Sequence, residues 1–146
     1  MTDIKAKFMT EYHNLDDGLV LSFGFFYPAS GNLSVQGLFY AKNHLASSER
    51  WDTIKIIVED VVDLKILWKG NQAHSICTGV HLVKIDDLWC LDVDGIYGDV
   101  EAPTSIAEIQ NFGDCYATGK QLNIYIIPDC RTDLHNLTPG QYSLYL

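Results

Sequence analysis

Hydrophobic residues alternate with small or polar ones from Gly18 to Tyr27, GLVLSFGFFY. Leu19, Leu21, Phe23, Phe25 and Tyr27 fall on one face, and Val20, Ser22, Gly24 and Phe26 on the other. A period of two over that length predicts a β-strand. The following PASGN (28–32) is turn chemistry, and alternation resumes in NLSVQGLFYA through Leu33, Val35, Gly37 and Phe39. The two runs predict a hairpin with a longer loop. A polar stretch, KNHLASSER (42–50), separates it from WDTIKIIVEDVVDLKILW, where β-branched residues dominate. That segment predicts two strands, or one strand bent near Glu59 and Asp60.

After the KGNQ turn (69–72) comes TGVHLVKI, then Asp86 and Asp87, then LWCLDVDG. Aspartate tolerates the backbone of a two-residue hairpin loop, so the pair predicts a tip. In that register Ile85 faces Leu88, Lys84 faces Trp89, Val83 faces Cys90, Leu82 faces Leu91, His81 faces Asp92 and Val80 faces Val93. Trp89, Leu91 and Val93 then point to the core. Asp92 and Asp94 share the other, polar face, with His81 opposite Asp92.

A polar connection from Gly98 to Pro103 leads to one short helix near residues 105–112. Ser105 and Glu108 have capping-box spacing, Ile106 and Ile109 share a face, and Gly113 supplies a stop. DCYAT and QLNIYII flank Gly119-Lys120, which predicts a turn between two strands ended by Pro128. From about residue 131 the tail is weakly patterned. Many strands with one helix predict a mostly β chain, with α+β as the variant: an antiparallel β-sandwich or curled sheet in a single domain, 1–146. Lys42, Lys65 and Pro128 are candidates to protect its edges.

Composition narrows the function classes. With 47% hydrophobic and 20% charged residues over 146 positions the chain is in the globular range. Ten basic against 19 acidic residues give a net charge of -9, which argues against a phosphate-backbone binder and points to a basic protein partner. The first 18 residues lack the apolar run of a signal peptide, and no segment reaches membrane-span length. The expectation is a soluble, cytoplasmic protein without nucleic-acid or membrane partners. Cys77, Cys90, Cys115 and Cys130 contain no CxxC and read as reduced, half-buried thiols.

No catalytic or cofactor motif is found, so the chain reads as non-enzymatic and without cofactor or metal. Histidines 13, 44, 74, 81 and 135 are scattered, and Gly95 arrives too early after Asp92 and Asp94 for a calcium loop. The set His81, Asp92 and Asp94 is weighed as a divalent-ion or proton-transfer site against a solvated cross-strand ion pair, and the latter is preferred. Phe23, Phe25, Phe26, Tyr27, Phe39 and Tyr40 are weighed as a nucleic-acid stacking platform against core, and core is preferred.

A small, acidic, β-rich chain without catalytic motifs resembles the immunity proteins of bacterial polymorphic toxin and contact-dependent inhibition systems. The resemblance is one of size, charge and strand content over the whole chain. It carries no motif, and no family residue is transferred. It implies a cytosolic antidote that binds a cognate toxin domain, often a basic nuclease, and occludes its active site. The residues expected to meet such a partner are Asp86, Asp87, Asp92, Asp94, Asp99 and Glu101, with Trp89 as an aromatic anchor. The rival reading is a β-rich scaffold or accessory subunit, or a domain that holds a small apolar ligand. A homodimer fits the strand edges equally.

Overall fold

The computed structural model describes residues 2–29, 31–67, 79–97 and 102–128. The alternating runs become strands β1 (Leu19–Phe26), β2 (Ser34–Lys42), β3 (Trp51–Ile66), β4 (Val80–Ile85), β5 (Leu88–Val93) and β6 (Cys115–Pro128). They form one open antiparallel sheet in the order β1-β2-β3-β6-β5-β4. The protein is mostly β, as the alternation predicts. Among the described residues the sandwich form is not adopted, because all six strands hydrogen-bond into a single sheet.

The long strands β3 and β6 are the spine. β3 is one strand, the bent alternative: Asp60 sits at φ 52° and the register slips between Val61 and Asp63. The expected turn at Gly119-Lys120 is overturned. β6 runs unbroken along β3, from Cys115 opposite Ile66 to Pro128 opposite Asp52. Gly119 lies opposite Val61 at the bulge, where a Cβ would come within 2.6 Å of the Glu59 carbonyl oxygen. The glycine serves close backbone approach there, not reversal of the chain.

The wings attach at opposite ends of this spine. β2, carrying β1 at its outer edge, pairs with β3 over Trp51–Val58, whereas β5, carrying β4, pairs with β6 over Tyr116–Gly119. One sheet face carries the main core: Val35, Phe39, Ile54, Ile56 and Val58 at the first end, Leu82, Leu91 and Ala117 at the second.

The expectation of one helix is also corrected. Helix α1 (Thr2–Tyr12) precedes the sheet and sends Phe8 and Tyr12 into the main core, joined by Leu15 from the turn that follows. Complete burial of Phe8 and Leu15 contributes about 1.5 to 3 kcal/mol each. Tyr12 also donates a 2.5 Å hydrogen bond to the buried Asp52 carboxylate, which Arg50 Nη2 meets at 3.1 Å. Burial first, then Asp52, pushes the Tyr12 phenol up to about 12.

Helix α2 (Ile106–Phe112) follows the capping prediction in part. Ser105 Oγ accepts from the Glu108 amide at 3.1 Å, and Gly113 closes the helix through the Ile109 carbonyl. The Glu108 carboxylate instead accepts from the Thr104 hydroxyl. Ile109 is buried, with Ile106 beside it, in a second cluster that includes Cys90, Tyr97 and Tyr116. Cys90 and Tyr116 alternate with Leu91 and Ala117 along their strands, so α2 covers the face of the sheet opposite the main core.

Candidate functional site

The β4–β5 hairpin forms with all six cross-strand pairs as predicted, His81 opposite Asp92 among them. Asp86 and Asp87 make the tip at φ 51° and 63°, both exposed. Trp89 is half-buried against the main core, with Lys84 Nζ 5.6 Å from its ring centroid. It packs inward, and its use as a partner anchor is reduced accordingly.

The solvated reading of Asp92 is overturned. Its side chain is 0% exposed, because α2, Tyr97 and Tyr116 close over the face that alternation marked as polar. Buried carboxylates need partners, and Asp92 has them. His81 Nδ1 meets Asp92 Oδ2 at 2.8 Å and the Gly95 amide donates to the same oxygen at 3.1 Å. A carboxylate only accepts, so Nδ1 is the nitrogen that carries the proton. The Tyr97 ring packs edge-on against His81 at 5.5 Å.

Two buried polar atoms here lack a formed hydrogen bond among the described residues, Asp92 Oδ1 and the Tyr97 hydroxyl. They flank one point: a Cβ on Gly95 would sit 2.7 Å from the first and 2.5 Å from the second. Donor and acceptor thus face each other across a residue that must be glycine. Burial, reinforced by the Asp92 charge, pushes the Tyr97 phenol far above its ordinary range.

Asp94 does not join Asp92. It adopts φ 61°, and its Oδ1 accepts from the Gly79 amide at 3.2 Å while its own amide donates to the Gly79 carbonyl at 3.0 Å. Among the described residues no three His, Cys, Asp or Glu side chains are grouped to hold a metal ion. Asp99 and Glu101 lie outside the described residues, as do Cys77, Cys130, the KGNQ turn and the tail from 131. Burial pushes the Cys90 thiol up to about 11 and that of Cys115 to about 12, so neither is a thiolate at neutral pH. Cys90 is fully buried and Cys115 partly so.

The aromatic residues divide in a way alternation did not foresee. Phe39 is core, whereas Phe25, Phe26 and Tyr27 are 60%, 38% and 68% exposed. Beside them lies a groove of about 510 Å³ lined by residues of β1, β2 and β3. The absence of any side chain at Gly24, between Ser22 and Phe26 on one face, was the signal available in the sequence.

Comparison with protein-family models, with curated proteins and with solved structures returns no match. No helix among the described residues is long and apolar enough to cross a membrane.

Proposed function

We propose that this protein is a non-enzymatic, cytoplasmic protein-binding domain whose acidic hairpin docks on a basic partner, in the manner of an immunity protein occluding a toxin. The observation that carries this reading is the exposed Asp86-Asp87 tip on a hairpin with six registered pairs. The arm's base is clamped by His81–Asp92 and by the Asp94–Gly79 bonds. Two carboxylates on a stiff arm reach a basic cleft with little ordering cost, and the net charge of -9 accelerates encounter with a cation-rich surface. Asp92 supports the arm and does not touch the partner.

Calorimetry of the full chain against the product of the adjacent gene is the test. Binding that weakens as salt is raised, and is lost in the Asp86→Lys/Asp87→Lys variant, supports the proposal. Binding that ignores both the salt and the charge reversal, or no binding at all, ends it.

A further inference from the structure

The groove over β1–β3 lies at the opposite edge of the sheet from the acidic hairpin, and an inference from it does not depend on the docking reading. The strand register builds its floor in rows. Ser22, Leu38, Lys55 and Tyr125 stand side by side across four strands, and Gly24, Gln36, Ile57 and Asn123 form the next row. Alternation puts these residues on the face opposite Ile54, Ile56 and Phe39, away from the main core.

Three features of the groove point to one ligand chemistry. Its lining is largely apolar, with Phe26 and Ile57 supplying the apolar side chains on the groove face. Its volume of about 510 Å³ falls within the range of small-molecule sites. Lys55 is the one charged side chain among its lining residues, in a chain of net charge -9. The Lys55 ammonium lies 4.9 Å from the Tyr125 ring centroid, so its position is set by an aromatic face, and among the described residues it forms no ion pair. Gly24 completes the shape. A Cβ built there meets nothing within 4 Å, so the opening between Ser22 and Phe26 is space that any side chain would occupy.

We propose that this groove binds an apolar carboxylate, with its hydrocarbon body along Phe26 and Ile57 and its anionic head at Lys55. A cation in an apolar groove selects an anion because the charge-assisted hydrogen bond adds to hydrophobic contact, whereas a neutral ligand leaves the ammonium unmatched. A chain of about ten carbons is well within the available volume.

The experiment compares decanoate with decanol, which differ only in the head group, by amide chemical-shift mapping and titration of the full chain. Decanoate should shift the resonances of Ser22–Phe26 and Lys55 and bind about tenfold more tightly than decanol. Lys55→Met should erase that preference while retaining decanol binding. Gly24→Val should abolish binding of both with the melting temperature unchanged or raised, since valine suits a strand and finds open space. The inference is overturned if decanoate produces no localised shifts in the native chain, if decanol binds as well as decanoate, or if Gly24→Val binds normally. The mapping uses the unaltered protein and stands even if a variant fails to fold.

Discussion

At the β4–β5 end of the sheet, the face that carries Cys90 and Asp92 lies beneath α2 and Tyr97. At the β1–β2 end the face that carries Ser22, Gly24 and Gln36 lines an open groove. Both begin as the non-core side of a hairpin. The difference is what tertiary packing lays over them, and it inverts the chemistry. Where the face is covered, polar groups must pair, and Asp92 is bonded to His81 and Gly95. Where it is open, Phe26 stays exposed beside a lysine.

Removing the carboxylate at the covered end is the strongest way to break this comparison. Asp92→Ala removes the acceptor shared by the His81 imidazole and the Gly95 amide beneath α2, at a cost of about 1 to 3 kcal/mol for each bond lost. Lys55→Met at the open end should change stability by less than about 0.5 kcal/mol. Urea denaturation measures both. A loss below about 1 kcal/mol for Asp92→Ala means that the two ends do not differ in burial.

Two glycines sharpen the same contrast. A Cβ at Gly95 lands 2.3 Å from Asp92 Oδ2, and displacing that buried carboxylate puts the cost of Gly95→Ala at about 2 kcal/mol or more. Gly24→Ala meets nothing and restricts the unfolded chain, which predicts a gain of about 0.4 to 1 kcal/mol. Equal effects at the two sites in thermal melts refute the account of both faces.

Residues legible in the sequence are those whose partners are local. The Asp86-Asp87 tip pins the register of β4 on β5, and Ser105 with Gly113 brackets α2, because turn and cap chemistry act within a few residues. Helix α1 is harder. Its buried contacts, Phe8 and Tyr12, are spaced i, i+4, but only the sheet beneath them gives that stripe something to bury against. Gly119-Lys120 misleads for a related reason: a glycine that permits a turn also permits two backbones to approach, and only the bulge in β3 decides which. The coverage of Asp92 depends on Tyr97 and Tyr116, residues that periodicity alone cannot bring to the hairpin.

Alkaline pH separates the ends by a gentler route. Cys90 is pushed up from 9.0 to about 11, Cys115 from 9.0 to about 12 and Tyr116 from 10.0 to about 12, burial being the largest cause in each. In the unfolded chain these groups release protons earlier, so the native state binds more protons above pH 9. Stability is full below that point and falls as pH rises toward about 12. All three sit at or beside the covered end, whereas Tyr12, raised from 10.0 to about 12 near the other end, adds to the decline only above pH 10. Hydrogen exchange in β5 and α2 should therefore accelerate before exchange in β1 and β2, and Cys90→Ala with Cys115→Ala should flatten the decline. Simultaneous loosening of both ends goes against this assignment.

A comparably small change in stability is expected at the hairpin tip, where it separates turn chemistry from docking. Asp86 and Asp87 both hold positive φ, 51° and 63°, a conformation that Asn-Gly satisfies with less strain. Asp86→Asn with Asp87→Gly should raise stability by about 0.5 to 1 kcal/mol, relief of the left-handed backbone outweighing the extra freedom glycine gives the unfolded chain. The same change removes both exposed carboxylates while leaving the arm and its base in place. If the tip works only as a turn, the variant is better in every respect. If it docks a basic partner, the more stable protein binds about tenfold more weakly and loses much of its salt dependence. Stability and affinity moving in opposite directions is the outcome expected of carboxylates that serve a surface other than their own.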